Sequence, residues 1–530
     1  MCLLMPANWC PDLVVVVGSL HLMIWSTGGA SVYGGGVGLF AVVRYGARDD
    51  NKVMDIQNEQ NHVFNIKLAK LIGLYQILDP GTTKCRGRNV YHIIGACILL
   101  YMCICSMILK LNGVFYWSTN MPLSIDYISK AAITLYLVYR MWNVVHRSND
   151  IWNCLSITRY DFTSFSSWDK HTLDSWRGRS VWLTNIYFAM YVFSMVIYVT
   201  SSLAYRNDVL PVKNRDGSIG FYRQNAMNFY FIVSDQTYNT HYYTFYFFEV
   251  LFIGLMAMLF FTFDILLITL CFAICCQMQM ICSAFESVGN KSLCVPHSPF
   301  DYTYEQKKTH NKHNLVYDDL KTILMDHQAV LQKYADFLTL FRLLMLQQIF
   351  VSSLSVITLW FLSIMSSFNI DKLKDSNVAL KRMMCGIPAL TYQLFLMCYL
   401  FGNLHNQKES IIFSLYSSNW TEMNMKCKKL ILLIMQMNNA NEIKLKFTRT
   451  KIVNLEMFFK TMGNCYTVVS VLLQYMINNK NLISLTQCLM SVVDLFCKIQ
   501  NMWSLIRNIL LKINIKLMNA HLFFLIKPNY

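Results

Sequence analysis

The 530-residue chain is apolar and basic: hydrophobic residues make up 55%, charged residues only 14%, and the mean hydropathy is +0.34. Because a soluble domain carries about 25% charged residues, this composition excludes a soluble globular protein and indicates a polytopic membrane protein. The formal net charge of +16 is better explained by basic cytosolic loops and attraction to anionic lipid than by nucleic-acid binding.

The N-terminal part of the chain precedes the first predicted span. Residues 13–43 form an apolar, Gly-rich run. Its first apolar stretch is as short as the hydrophobic region of a signal peptide, but no basic segment precedes it. We therefore treat residues 1–55 as an extension and do not count a span there. Residues 61–80, NHVFNIKLAKLIGLYQILDP, predict a short amphipathic helix at the membrane before Pro80.

Seven apolar stretches follow, each long enough to cross a bilayer core, which takes about 20 residues. We place these spans near residues 91–112, 121–146, 181–205, 246–276, 341–367, 383–402 and 454–475. The sequence thus predicts an all-α protein with seven transmembrane helices.

The distribution of Lys and Arg predicts how the spans are oriented. With a cytosolic N-terminus, the four inside segments carry 26 of these residues and the three outside loops carry 8, which favours an N-terminus inside and a C-terminus outside. Two N-x-S/T sequons, at Asn290 and Asn419, lie in segments placed inside, so we expect neither to carry a glycan.

Charged residues within the spans each need a reason, because a charge at mid-membrane costs about 2.5–3.5 kcal/mol. For Asp264 in the fourth span we keep two interpretations: a polar contact or latch between helices, or a position where the helix leaves the bilayer. Arg140 is placed near the inner end of the second span, from which it can extend to the interface. Glu456 and Lys460 fall in the first turns of the seventh span.

Several spans present aromatic, apolar and small residues along one helical face near their outer ends. These faces comprise Ile128, Ala131 and Leu135 in the second span, Tyr191, Ser194 and Tyr198 in the third, Leu251, Leu255 and Met258 in the fourth, and Tyr392 in the sixth. Helix packing explains any one of them. Together they also suit an apolar cavity with a few hydroxyl groups.

The sequence from Cys398 to the seventh span is the most specific part of the chain. It reads CYLFGNLHNQKESIIFSLYSSNW, then KCKKLILLIMQM, then TRTKIVNLEMFFKTMGNCYTVVSVLLQ. This run resembles the C-terminal signature of insect odorant receptors. The matching residues are Cys398, Tyr399, Phe401, Gly402, Asn403, Ser410, Tyr416, Trp420, Lys428, Lys429, Leu430, Phe458, Tyr466, Thr467, Val471 and Leu472.

The resemblance implies a receptor that binds a volatile small molecule between the outer halves of spans two, three, four and six. It implies a hetero-tetramer with the odorant co-receptor, forming a ligand-gated non-selective cation channel in the plasma membrane of the olfactory neuron dendrite. It places Thr467, Val471, Gln474 and Tyr475 on the pore face of the seventh helix. It also implies that the cytosolic segment 403–453 anchors subunits through Tyr416, Trp420, Leu430 and Leu433.

Family members end just past the seventh helix, whereas this chain continues through residues 476–530. A gene-model read-through and a genuine extension on the outer surface both account for this tail.

Other functional classes fit less well. No phosphate-binding loop, nucleophile elbow or metal-ligand motif is present, so we expect neither an enzyme nor a cofactor, and we assign His310 and His313 to a solvated polar loop. The orientation and the position of Thr158-Arg159-Tyr160 argue against a G-protein-coupled receptor. A gustatory receptor is the closest alternative, since its Thr-Tyr-x5-Gln-Phe signature loosely fits the seventh span. A secondary transporter would require inverted repeats, and the sequence shows none.

Overall fold

The structure is a computed structural model. It describes residues 61–85, 88–110, 112–113, 121–165, 169–204, 206–207, 209–213, 217–288, 308–368, 376–440 and 452–478. The predictions for residues 1–55, and for the tail beyond residue 478, lie outside the described residues.

The described chain is predominantly helical. Its helices are α1 (Ile66–Leu71), α2 (Leu74–Leu78), α3 (Val90–Ile104), α4 (Met121–His146), α5 (Ser148–Leu155), α6 (Lys170–Ala204), α7 (Asp235–Thr240), α8 (Tyr242–Ser287), α9 (Lys308–Phe368), α10 (Ser376–Tyr416), α11 (Met425–Ala440) and α12 (Leu455–Asn478). Two short antiparallel hairpins accompany them, β1 (Lys84–Cys85) with β2 (Arg88–Asn89), and β3 (Val209–Lys213) with β4 (Ile219–Arg223). A π-helical turn, Cys105–Lys110, continues α3.

Each predicted span corresponds to one long helix: α3, α4, α6, α8, α9, α10 and α12. Within the described residues, five of them are long and apolar enough to cross a membrane: α6, α8, α9, α10, and α3 taken together with its π-helical turn. The other two, α4 and α12, are 26 and 24 residues long, which exceeds the length a bilayer core requires. The seven-helix prediction is confirmed in its helix count.

Several of these helices extend well beyond the predicted spans. The 46 residues of α8 and the 61 of α9 correspond to lengths of about 70 and 90 Å at 1.5 Å per residue, whereas a bilayer core is about 30 Å thick. Residues 308–313 belong to α9, so the assignment of His310 and His313 to a loop is wrong. Hydropathy marks where lipid ends, but helical hydrogen bonding continues past that point.

The amphipathic segment before Pro80 forms two helices instead of one. Gly73 separates α1 from α2 in the left-handed conformation, with φ of 77°, which glycine adopts at little cost. Asn65 caps α1 and its side-chain amide donates to the Thr184 hydroxyl on α6 at 3.0 Å. This contact fixes the N-terminal helices against the third span.

A folded loop joins α6 to α8, which we call the hairpin loop (residues 206–241). Asn239 on α7 exchanges hydrogen bonds with β4, accepting from the Arg223 amide at 2.9 Å and donating to the Phe221 carbonyl at 2.7 Å. An aromatic cluster packs between this loop and the ends of α4 and α8; it comprises Tyr127, Tyr222, Tyr230, Tyr238 and Tyr242. The loop therefore has its own packed core and covers one end of the helices.

Candidate functional site

Tyr187 on α6 packs against aromatic residues of two of the predicted faces. Its ring centroid is 4.9 Å from that of Tyr191 on the same helix and 6.2 Å from that of Tyr392 on α10. The Tyr191 ring in turn lies 6.3 Å from Phe260 on α8. The fold thus places two of the predicted ligand-contacting aromatics, Tyr191 and Tyr392, on either side of one buried tyrosine.

The remaining predicted ligand residues are distributed around the same helices. On α8, Leu255 is buried while Leu251 and Met258 are half-buried; on α4, Ala131 is buried and Leu135 half-buried. Ile128 is different, since 54% of its surface is exposed in the single chain.

The hairpin loop closes one end of this region. The Tyr198 hydroxyl on α6, another predicted ligand residue, donates to the Met227 sulfur at 3.7 Å. The backbone N–H groups of Met227 and Phe229 donate to the Glu249 carboxylate at 2.5 and 2.7 Å. One buried carboxylate on α8 therefore holds the loop segment that contacts Tyr198. Ser194, one turn earlier on α6, is half-buried.

Tyr187 also belongs to a set of side chains that we call the buried polar network: Arg140, Tyr187, Asp264, Gln348 and Gln393. All five are at most 3% exposed. They come from α4, α6, α8, α9 and α10, one from each. The network is therefore the place where five of the long helices are joined by polar side chains.

Asp264 lies at the centre of this network. Its Oδ2 accepts hydrogen bonds from the Tyr187 hydroxyl and the Gln393 side-chain amide, both at 2.5 Å. Its Oδ1 lies 3.3 Å from an Arg140 guanidinium nitrogen. Of the two interpretations that the sequence left for Asp264, the structure shows the polar contact between helices.

Arg140 does not extend to the membrane interface, so that part of the sequence interpretation is wrong. The side chain is fully buried; it donates to the Gln348 side-chain oxygen and, at 2.6 Å, to the Phe260 carbonyl. The guanidinium also lies 4.2 Å from the Phe263 ring centroid, a cation–π distance. The energetic reason is that an unpaired charge is costly in the protein interior. The Asp264 carboxylate and the Arg140 guanidinium avoid that cost by pairing with each other.

A second buried cation, Lys110, was not singled out from the sequence. It lies at the end of the π-helical turn, donates to the Thr134 hydroxyl at 2.6 Å and to the Lys130 carbonyl at 3.0 Å, and is 4.8 Å from the Phe252 ring centroid. In the sequence it stands near the end of an apolar run, and only the packing of α4 and α8 around it shows that it is fully buried.

The predicted pore helix, α12, buries one face and leaves the other uncovered. Cys465 and Val469 are buried, and the Cys465 sulfur lies 3.9 Å from the Ser353 carbonyl on α9. Thr467 and Val471, about 180° around the helix from those two, are exposed, Val471 by 60%. Gln474 is also exposed.

The fourth predicted pore residue, Tyr475, lies on α12, but its side chain is outside the described residues. In this single chain the face formed by Thr467, Val471 and Gln474 is therefore exposed among the described residues.

The predicted anchor residues also leave apolar surface uncovered. Tyr416 is 65% exposed, with its ring centroid 5.9 Å from that of Trp420, and Leu433 is 46% exposed while Leu430 is half-buried. Neighbouring exposed hydrophobic residues include Phe413, Met425 and Leu432. Large apolar side chains exposed this close together along the chain are typical of a protein contact.

Away from these regions, an open groove of about 510 Å³ lies beside the start of α6, lined by Lys170, Asp174, Arg177, Gly178 and Val181. The Tyr160 hydroxyl donates to Asp174 at 2.9 Å, and burial raises the pKa of Tyr160. Val181 is ten residues from Tyr191, about 15 Å along the helix, so the groove is separate from the aromatic site. Among the residues that the structure describes, no group of His, Cys, Asp and Glu could hold a metal ion.

Comparison with known proteins gives a consistent result. A family model described as the 7tm odorant receptor matches residues 120–466. A solved structure of the insect olfactory receptor OR5 from Machilis hrabei is similar over 77% of this chain and 98% of its own, at 15% identity and a TM-score of 0.57. The structure of the same receptor in complex with eugenol matches over the same shares at 13% identity and a TM-score of 0.58. No curated protein matches the chain.

Proposed function

Because the chain belongs to the 7tm odorant receptor family, whose model covers most of it, we propose that it is an odorant-tuning subunit that binds a small volatile ligand. With the odorant co-receptor it forms a hetero-tetrameric, ligand-gated, non-selective cation channel. The N-terminus lies in the cytosol and the C-terminus outside, and the channel resides in the plasma membrane of the olfactory neuron dendrite.

The observation that carries this proposal is the division of α12 into two faces. Cys465 and Val469 pack against the rest of the chain, whereas Thr467 and Val471 are uncovered. In a tetramer with α12 around the axis, Val471 would contribute to an apolar constriction that closes by excluding water, and Gln474 to a polar ring next to it.

The ligand site lies between α4, α6, α8 and α10, at Tyr191, Tyr392, Leu255 and Ala131. An apolar, aromatic lining with a few hydroxyl groups suits a small alcohol, ester, aldehyde or phenol; eugenol, bound by the Machilis hrabei receptor, belongs to this class. Burying about 250 Å² of such a ligand gives about 6 kcal/mol before binding entropy is subtracted. Micromolar or weaker binding is therefore expected.

Subunit assembly is assigned to the exposed apolar surface around Tyr416 and Leu433. This surface lies on the cytosolic segment after the sixth span, where Trp420 and Leu430 are also located. Contacts there would join subunits without obstructing the pore.

The first experiment measures whole-cell current from cells that express this chain with the co-receptor, this chain alone and the co-receptor alone, against a panel of plant volatiles and terpenoids. Odorant-evoked current is expected only when both chains are present. Current from this chain alone, or responses to sugars or bitter compounds instead of volatiles, would refute the proposal in favour of a gustatory receptor.

Two adjacent alanines provide a matched pair for the ligand site. Ala131 is buried and Ala132 is exposed on α4. We expect Ala131→Leu to change the half-maximal odorant concentration at least about tenfold, since it adds three carbons and even one methylene group in an apolar site is worth about that much. Ala132→Leu should leave it within about twofold. Equal effects of the two substitutions, at equal surface labelling, would contradict the assigned site.

Glycosylation tests the orientation. Asn290 and Asn419 are expected to remain unmodified, whereas Asp216→Thr, which completes a sequon at Asn214 in the hairpin loop, should add a glycan that a glycosidase removes. A glycan at Asn419 would reverse the topology.

A further inference from the structure

The buried polar network is more extensive than the packing of a helical bundle requires. Apolar side chains would satisfy helix packing at Asp264 and Arg140 without the desolvation cost of two charges, and replacing a buried ion pair by well-packed apolar residues is often neutral or stabilising. Gln348 and Gln393 add two more polar groups to the same interior position.

On one side, the network contacts the ligand site through Tyr187. The Tyr187 hydroxyl donates to Asp264 at 2.5 Å, while its ring packs against Tyr191 and Tyr392 at centroid distances of 4.9 and 6.2 Å. A ligand that displaces either of these rings must shift the Tyr187 ring as well, and with it the hydroxyl that Asp264 accepts. Within the described network, Tyr187 is thus the residue that joins the hydrogen bonds of Asp264 to the aromatic rings of the ligand site.

On the other side, two members of the network lie close to residues that touch α12. Gln348 on α9 is five residues before Ser353, whose carbonyl oxygen lies 3.9 Å from the Cys465 sulfur. Gln393 on α10 is two residues before Phe395, whose ring packs edge-on against Phe458 of α12 at 5.5 Å. Two helices that contact α12 are therefore tied to the same ion pair, α9 to Arg140 through Gln348 and α10 to Asp264 through Gln393.

We propose that Arg140, Asp264 and Tyr187 form a polar latch through which occupancy of the ligand site changes the position of α12. This inference rests on the proposed function, and it adds a role for residues that touch neither the odorant nor the pore. Tyr187 is a positioning residue in this scheme. The latch has two arrangements because hydrogen bonds to a buried charge are either formed or broken, whereas apolar packing changes gradually.

A latch of this kind biases the equilibrium between closed and open channel and leaves the ligand's own contacts unchanged. Its removal must therefore change the half-maximal concentration of every odorant by the same factor and also change the current without odorant. A residue that contacts the odorant directly behaves differently, because its effect depends on the shape of each ligand.

The test uses Tyr187→Phe, which removes the hydroxyl and keeps the ring. The matched control is Tyr246→Phe: the Tyr246 hydroxyl donates to the Val199 carbonyl at 3.1 Å, so it also joins α8 to α6, but outside the network. Each variant is expressed with the co-receptor, its surface amount is measured by labelling, and dose–response curves are recorded for three active odorants of different shape, with the resting current.

We expect Tyr187→Phe to shift the half-maximal concentration of all three odorants by a common factor of about ten, equivalent to about 1.4 kcal/mol, and to change the resting current. Tyr246→Phe should shift it less than threefold. Different factors for different odorants, an effect equal to that of the control, or a loss of peak current that only follows surface amount would each overturn the latch.

A second variant gives an independent result. Gln393→Met removes the other neutral donor to Asp264 at similar side-chain volume. If both donors act through one carboxylate, the double variant Tyr187→Phe/Gln393→Met should shift the half-maximal concentration by clearly less or clearly more than the product of the single shifts. Shifts that multiply within about twofold would refute the coupling.

Absence of odorant current with the unmodified chain would refute the proposed function, which distinguishes that failure from a failure of the latch alone.

Discussion

Arg140→Met offers the most direct test of the interior ion pair, because it removes a charge that the structure shows fully buried. The guanidinium lies 3.3 Å from the Asp264 carboxylate, which gives an attraction of about 5 kcal/mol at an effective dielectric constant of about 20. The substitution also removes the donor to the Phe260 carbonyl. Breaking a buried pair in this way typically costs about 3–5 kcal/mol, because the remaining charge is left unpaired.

The expected result is therefore a strong loss of stability in the single variant and a partial recovery in the double variant Arg140→Met/Asp264→Asn, in which no unpaired charge remains. The assay heats detergent-solubilised protein in steps and scores the fraction that remains monodisperse on size exclusion. Arg147→Met serves as the control, since Arg147 is exposed close to the same helix end and surface substitutions rarely exceed about 0.5 kcal/mol.

Two outcomes would refute the reasoning. One is an Arg140→Met protein as stable as the unmodified chain, which would mean that water or another group compensates the Asp264 charge. The other is a double variant no more stable than Arg140→Met, because the cost would then come from lost packing around the guanidinium and not from an uncompensated carboxylate.

Three further predictions concern the pore, the anchor and the hairpin loop. Val471→Ser should raise the current without odorant several-fold when the chain is expressed with the co-receptor, because a hydroxyl at an apolar constriction favours water entry; an unchanged resting current would remove Val471 from the gate. Leu433→Asp should reduce co-purification of the co-receptor at least fivefold while the thermal stability of the single chain changes little, since the residue is 46% exposed in the single chain. Glu249→Gln replaces the carboxylate that accepts from the Met227 and Phe229 amides, which costs about 1–3 kcal/mol of local stability; protease added to intact cells should cut the hairpin loop faster, and equal cutting rates would refute its role.

The membrane-spanning helices could be predicted from the sequence because each one is encoded locally. A run of about 20 apolar residues must form a helix in lipid, where no other segment satisfies its backbone groups, and α4 begins and ends where the apolar run 121–146 does. The same locality accounts for the errors. The parts of α8 and α9 beyond the predicted spans mix apolar and polar residues, so hydropathy carries no signal for where those helices end.

The site divides in the same way. Helical spacing alone places Thr467 and Val471 on one face of α12, and the structure leaves that face uncovered. Spacing also groups Tyr191 with Ser194 and Tyr198, but it could not show that Tyr187 lies between Tyr191 and Tyr392, because Tyr392 is 205 residues further along the chain than Tyr187.

What the sequence by itself determined is therefore the class of protein, the number of spans and the family, all of which depend on composition and on short-range patterns. Only the tertiary structure decided how the buried charges are used. Arg140 and Asp264 are far apart in sequence and lie in different spans; whether such a charge reaches the interface or finds a partner depends on which helices pack side by side. Here α4 and α8 bring the two within 3.3 Å, and the high cost of an unpaired charge in a low-dielectric interior makes that pairing the physical basis of the buried network.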